Sequence, residues 1–453
     1  MRFWALGWLD ELFVRPSFFF KYSGFEWVPV WGPLGLRIHF VILIGAALAL
    51  SVGLFFRLSC FVFGVTFFWV QLMDQSNYLN HYYLVLWLTL LLAISPAHQR
   101  WSIDALRRPE LRSSTTPTWT VVLLRGQVAI VYFFAAIAKL ESDWLVYGQP
   151  MGIWLSARED TPLLGMLFAQ PWAPLLMSWA GFLYDASIVP LIFWRRTRRL
   201  AYVLVLVFHG LTAVLFDIGL FPLIMIISST ILLSPRWPST LFYSLKRRLR
   251  WTASGEEAGT MHEEVGSDQS NAEKTVFPRK GIALILCWAF IQSIVPVRAA
   301  WLPGEVLWGE RGMRYSWRVM VREKMGSVSY RVTRERDQRV FFVNPASYLE
   351  PRQLSEMSGQ PDMIVQLAHH IRDELRRKGH GECTFRVDAW VSLNGRRPSR
   401  LIDPDVELTR GISGDDWILP APEEAPLHRP GNWTLESWWA PPVRSMGAGE
   451  RVG

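Results

Sequence analysis

Charge is scarce along most of this chain. Asp, Glu, Lys and Arg make up 19% of the 453 residues, below the roughly 25% usual in soluble domains. Between Leu36 and Ile294 long stretches carry almost none. This excludes an ordinary soluble enzyme and a disordered chain. Cysteine is scarce too. Cys60, Cys287 and Cys383 are scattered, two of them in apolar runs, so neither a disulfide framework nor metal-ligand spacing exists. No metal site is expected. The chain has no P-loop, no Gly-rich dinucleotide turn, no nucleophile elbow and no Glu-x-x-His zinc spacing. No cleavable signal peptide is read in the first 37 residues, which are rich in Trp and Phe but broken by charge and proline. There is no internal repeat.

What the chain has is apolar length. Hydrophobic residues reach 51% and aromatics 14%, with 24 Trp and 27 Phe. Eight stretches approach the roughly 20 residues a membrane helix needs: 38–56, 58–73, 82–97, 119–138, 174–194, 200–216, 218–235 and 281–297. The sixth and seventh meet at Asp217-Ile218-Gly219, which reads as a tight turn. The expected fold is a mainly α polytopic membrane helix bundle of about eight spans over 1–300, with a C-terminal α+β extramembrane domain over 301–410. A polar linker over 251–280 precedes the last span, and 411–453 is a Pro- and Trp-containing irregular tail. Within the extramembrane part, Tyr315–Arg322 and Phe385–Leu393 alternate like strands, and 361–378 reads as an amphipathic helix opening on Pro-Asp.

The net charge of +8 concerns topology and is no nucleic-acid signal. Arg57, the cluster Arg100 to Arg112, the cluster Arg195 to Arg199, and the cluster Arg236 to Arg250 occupy alternate loops. Asp74, Glu141, Asp143, Glu159 and Asp160 occupy the others. By the positive-inside bias, residues 74–81 and the C-terminal domain belong on the non-cytoplasmic side, as does the N-terminus.

Polar groups at membrane depth are expensive, so each is a functional candidate. Lys139 ends the run from Val131 to Ala138. A desolvated amine can act as a general base; the bland alternative is a snorkelling lysine paired with Glu141 or Asp143. Asp74-Gln75-Ser76-Asn77-Tyr78-Leu79-Asn80-His81 is a dense polar block that either lines a site or forms a solvated loop. His209 sits mid-span and is either functional or a packed histidine bonded to a neighbouring helix.

These residues resemble the vitamin K-dependent gamma-carboxylase family. The likeness is carried by Asp74 to His81, by Leu124-Arg125-Gly126-Gln127 leading to Val131-Tyr132-Phe133 and Lys139-Leu140, and by Asp143-Trp144. Phe208-His209 followed by Ile218-Gly219-Leu220-Phe221 adds to it. So do Tyr315-Ser316-Trp317-Arg318-Val319-Met320, Asn344-Pro345, Asp388 to Asn394, and Asp403-Pro404. Order and spacing agree over about 8–410, and bacterial members with the membrane domain called HTTM are most similar.

The resemblance implies a reaction. Such a carboxylase deprotonates reduced vitamin K or menaquinone, and O2 converts it to a strong alkoxide base. That base takes a glutamyl γ-proton, the carbanion captures CO2, and the quinone leaves as its epoxide. The implied partners are therefore a quinone, O2, CO2, a glutamate-containing polypeptide and membrane lipid. Lys139 matches the family's base. Asn80 and His81 match polar residues near the reacting centre, His209 matches a family histidine, and Tyr315 and Trp317 match the segment that holds the glutamate. Asp74 and Tyr132, with Asn80 and His81, are expected beside the quinone. The implied location is a bacterial inner membrane. Three departures accompany the likeness. The helix that the family usually places before the segment beginning at Trp8 is not found here. The Phe-His-x-x-Asn pattern reads Phe208-His209-Gly210-Leu211-Thr212. The further C-terminal extramembrane module of the animal enzymes is not found either. The competing reading is a non-catalytic HTTM protein that binds quinone or lipid, or scaffolds a membrane or export complex.

Overall fold

The computed structural model describes residues 2–234, 237–251 and 278–427, except 413 and 415. Most of the expected linker 251–280, and the tail beyond 427, lie outside the described residues.

Among the described residues six helices are long and apolar enough to cross a membrane. They are α1 (Pro33–Ser51), α2 (Phe56–Met73), α4 (Thr118–Ala138), α5 (Ala173–Phe193), α6 (Arg198–Leu215) and α9 (Arg279–Val297). The other two apolar stretches fold as shorter helices, α3 (Asn80–Ile94) and α7 (Phe221–Ser229). The expectation of about eight spans thus becomes six long helices and two shorter ones. Apolar length in sequence does not fix helix length: α3 stops at Ile94, where Ser95 is extended and Pro96 follows. Gly219, at φ 66°, and Pro222 delay the start of α7. A further helix, α8 (Trp237–Trp251), precedes the linker.

Helix α4 is central, packing on α3, α5 and α9. Its sequence explains why. Gly126 leaves room for Trp288 of α9, whose ring would lie 2.5 Å from an added Cβ. Gln127 accepts the Trp288 indole N–H at 2.9 Å. Arg125 reaches the freed carbonyls of Ile231 and Leu233 at 3.1 and 2.6 Å. The run Arg125 to Gln127 is therefore packing machinery, setting α9 and the turn after α7 against one helix.

The extramembrane part is an antiparallel sheet of order β2-β1-β3-β4. Its strands are β1 (Lys324–Arg334), β2 (Val340–Val343), β3 (Cys383–Leu393) and β4 (Ser399–Arg400). Strands β1 and β3 pair with Tyr330 opposite Val387. Helix α10 (Pro351–Ser358) and helix α11 (Pro361–Arg377) cover it. The α11 face Met363, Ile364, Leu367, Ala368 and Ile371 is fully buried, and each larger side chain there contributes about 1.5–3 kcal/mol. Tyr330 donates to the Ile364 carbonyl at 2.7 Å, locking helix to sheet.

One sequence expectation fails. Tyr315–Arg322 is not a strand; the sheet starts later, at Lys324. Tyr315, Trp317 and Met320 have φ of 64°, 56° and 54°. The alternation is real, but different partners bury the alternate side chains, and the left-handed residues turn the chain between them.

The core does not stop at the membrane. One continuous cluster joins Met151, Leu155, Phe168 and Leu215 of the helical part to Val391, Leu393 and Ile364 of the sheet part.

Candidate functional site

The polar block 74–81 is not a solvated loop. Asp74, Gln75, Ser76 and Asn77 are all buried. The Asp74 carboxylate accepts the Ser76 N–H at 2.9 Å, closing a one-turn 3-10 helix. Its other oxygen accepts from Gln353 of α10 at 2.8 Å. Burial pushes the Asp74 carboxyl above its ordinary range, against the pull of these hydrogen bonds. Gln75 donates to Asp362 at 2.6 Å, and Asn77 accepts from Arg352 at 3.2 Å. The first half of the block therefore grips the extramembrane domain, and Asp74 sits at that seam. The second half turns inward. The Tyr78 hydroxyl donates to Asn80 Oδ1 at 2.9 Å and accepts from the Tyr315 main-chain N–H at 2.7 Å.

Lys139 caps the C-terminus of α4 and is 5% exposed. Its Nζ lies 2.8 Å from Asp185 Oδ2 of α5. It also donates to the carbonyls of Ala135 at 3.3 Å and Val319 at 3.4 Å, over the Trp144 ring. The snorkelling alternative assigned it Glu141 or Asp143. Those carboxylates are engaged elsewhere. Glu141 receives Arg318 at 2.9 Å, and Asp143 receives Arg396 at 2.6 and 2.7 Å and Asn394 at 2.9 Å. Burial raises the Glu141 carboxyl, with Arg318 opposing.

The segment 315–319 threads between these groups. Asn80 Nδ2 donates to the Arg318 carbonyl at 3.1 Å, and Lys139 Nζ to the next one, Val319. Trp317 enters the membrane bundle, 1% exposed, among Val128, Val131 and Tyr132, with its ring 4.8 Å from Tyr83.

His209 of α6 is 2% exposed. Its Nε2 lies 3.1 Å from the Tyr132 hydroxyl, which also meets Ser229 at 3.0 Å and Tyr184 at 3.5 Å. His81 and His209 both pack against the Phe221 ring, each with centroids 6.0 Å apart. Thr212 donates back to the His209 carbonyl at 3.0 Å, so this hydroxyl serves its own helix.

The structure thus gathers the candidates as two linked pairs. Asn80 and Lys139 share the main chain of 318–319, and His81 and His209 share Phe221. Tyr132 belongs with His209. Tyr315 lies apart, lining a cavity of about 650 Å³ with Tyr22, Tyr78 and Tyr83. Lys139, Asn80, His81 and His209 do not line that cavity. Asp185, Tyr184 and Ser229 escaped the sequence reading. Asp185 had a signal, as the lone acidic residue of its apolar stretch. Tyr184 and Ser229 had none.

Chemically, the arrangement offers a buried amine held by a carboxylate, beside apolar and aromatic walls. His209 Nδ1 and Trp317 Nε1 are buried with no hydrogen-bond partner among the described residues. Unpartnered buried polar atoms are rare and call for a ligand or water. An apolar ring carrying oxygens satisfies both an indole donor and an imidazole, so these residues fit a quinone. No cluster of His, Cys, Asp or Glu suited to a metal occurs among the described residues.

Residues 1–237 match the HTTM domain family, and residues 278–424 match the family described as vitamin K-dependent gamma-carboxylase, lumenal domain. No solved structure matches the chain. With both matches in the expected order on six apolar helices and an antiparallel sheet domain, the chain belongs to the vitamin K-dependent gamma-carboxylase family of integral membrane proteins.

Proposed function

We propose that this protein couples oxidation of a reduced quinone, vitamin K or menaquinone type, by O2 to carboxylation of protein glutamate with CO2. The observation that carries this reading is Lys139. It is a buried amine at the end of a membrane helix, held by Asp185 and the Val319 carbonyl at the junction with the extramembrane domain. A lysine that only anchored a helix end would reach for head groups.

The co-substrate supplies the strong base and leaves as epoxide. The side chains provide the rest. Lys139, as the neutral amine, takes the hydroquinone O–H proton, and Asp185 holds the ammonium so formed. Tyr132, His209 and Trp317 hydrogen-bond the ring oxygens and fix their orientation. Asn80 holds the Arg318 carbonyl, and with it the segment carrying Tyr315 and Trp317, which presents the glutamate. His81 shares the Phe221 wall and orients the carboxylate. The alternate Arg and acid loops support placing this centre at the non-cytoplasmic face of a bacterial inner membrane.

The test is purified protein with reduced menaquinone or vitamin K, O2, labelled CO2 and a Glu-rich peptide, with epoxide and fixed label both measured. Lys139→Ala should abolish both, a loss of at least about 10²-fold for a general base. Helix geometry tolerates Ala there, and because the change strands Asp185 the folded fraction of the variant is measured alongside. Epoxide formed at the parent rate by Lys139→Ala ends the assignment. Inactive parent protein that is folded and binds quinone would make this a binding protein instead.

A further inference from the structure

The 650 Å³ cavity is lined by Tyr78, which bonds Asn80, by Tyr83, which packs on Trp317, and by Tyr315, and none of Lys139, Asn80 and His81 lines it. It has two unlike ends. One is formed by Phe68 and Leu72 at the end of α2 and by Leu86, Trp87 and Leu90 of α3. Phe68 and Leu90 are exposed on the outer surface of the helices, where a membrane protein meets lipid. Leu90 lies ten residues into α3, about 15 Å from its start at the helical rise. The other end holds Arg298, Arg311, Arg314, Glu310 and Asp362. Most of these charges are matched: Arg314 pairs with Asp362 at 3.1 Å, and Glu310 pairs with Arg322 and Lys324.

Arg298 is different. It follows α9 directly and donates to two main-chain carbonyls, of Val295 and Arg314. Among the described residues no carboxylate pairs with it. A guanidinium has five N–H donors and keeps its charge whatever it bonds to. A half-buried cation without an anion, at the end of a helix of membrane-spanning length, stands at head-group depth. The cavity it shares is otherwise lined largely by apolar side chains, Leu72, Leu86, Trp87 and Leu90 among them.

We propose that this cavity binds one acidic phospholipid, its phosphate on Arg298 and one acyl chain along Leu86 and Leu90. The unmatched charge selects the ligand. A quinone head is neutral and leaves Arg298 uncompensated. A zwitterionic lipid brings its own cation beside the phosphate. A net anion with a hydrocarbon tail satisfies both ends. The proposal does not rest on the carboxylase reading.

The experiment uses the full chain in nanodiscs of equal phosphatidylglycerol and phosphatidylcholine, with retained lipid counted by native mass spectrometry after detergent release. One phosphatidylglycerol should be retained at about tenfold preference, the discrimination one charged hydrogen bond provides. Arg298→Gln should erase the preference and Arg298→Lys should keep most of it. Because Arg298 also ties two carbonyls, Leu86→Trp serves as the second variant: it fills the apolar end with every charge in place and should also lose the lipid. Equal retention of both lipids overturns the proposal, as does unchanged preference in Leu86→Trp. Displacement of the lipid by inorganic phosphate would reduce the site to a plain anion site and overturn it. Stoichiometric displacement by reduced menaquinone or by a Glu-rich peptide would assign the cavity to the reaction and overturn it as well.

Discussion

At the scale of single residues, Asp185 decides how Lys139 behaves. A buried amine next to a buried carboxylate is stable only as a pair; removing one partner strands the other, at about 3–5 kcal/mol. Asp185→Asn keeps the shape and one acceptor but deletes the charge. It should lower the epoxidation rate by about 10²-fold, within the range a general base supplies, with a smaller change in the quinone KM. Asp185→Glu should restore part of the rate. Parent kinetics in Asp185→Asn would show that the pair only anchors two helices. Lys139 itself was legible in the sequence as a polar residue closing an apolar run. Its partner was not, because Glu141 and Asp143 are two and four residues away while Asp185 lies 46 away. Proximity along the chain suggested the wrong carboxylates. The packing of α5 on α4 supplies the right one.

At the scale of elements, the stretch from Val306 into β1 shows how the extramembrane domain is wired to the bundle. Its left-handed residues Tyr315, Trp317 and Met320 each cost about 1–3 kcal/mol. Burial of the Trp317 ring and the Tyr78 bond to the Tyr315 N–H offset that. The alternation of this stretch misled the strand reading, whereas β3 and α11 were read nearly to their ends, because one sheet and one helix face alone explain their patterns. Where the stretch joins β1, Lys324 and Arg322 share Glu310, two cations on one carboxylate. Burial lowers the Lys324 ammonium from 10.5 to about 8, against the pull of Glu310. The unfolded chain therefore binds more protons than the folded one between those values, and stability contributed here rises with pH across that window. Below about pH 8 the full cost of the buried charge is present. Lys324→Met leaves the Arg322–Glu310 pair balanced. Its thermal midpoint should equal or exceed the parent's at pH 7, with the parent gaining on it by pH 10. A parent that loses ground to the variant over that rise would refute this reading.

At the scale of the whole molecule, two matched family segments share one interior. The seam is built from charge as well as hydrocarbon: Asp143 with Arg396 and Asn394, Glu141 with Arg318, and Asp74 with Gln353. Arg396→Ala would leave Asp143 buried and stripped of its cation, costing about 3–5 kcal/mol. The expected readout is a lower unfolding midpoint in detergent together with new protease cleavage near the seam. A variant with the parent midpoint would show that the hydrocarbon core alone holds the halves together. The general plan was legible from sequence, since charge segregation separates bundle from domain. The number of full spans was not, because hydropathy counts apolar residues without seeing where a Ser-Pro step or a glycine shortens a helix. The acidic loop residues 74, 141 and 143 drew attention as topology markers; their partners lie 177 to 279 residues away and could only be found in three dimensions.

The ties from residues 318 and 319 to Asn80 and Lys139 run through carbonyl oxygens. Every amino acid has that oxygen. Exchanging the Val319 side chain therefore leaves its acceptor in place, and a mutational survey of that position would report tolerance at a point of close mechanical coupling, whereas at Arg318 it would read the loss of the Glu141 ion pair instead. Replacing the following amide with an ester, which weakens the carbonyl as an acceptor, addresses the tie itself. What holds the amine against the extramembrane domain is the path of the main chain, and a change of side chain at Val319 leaves that path intact.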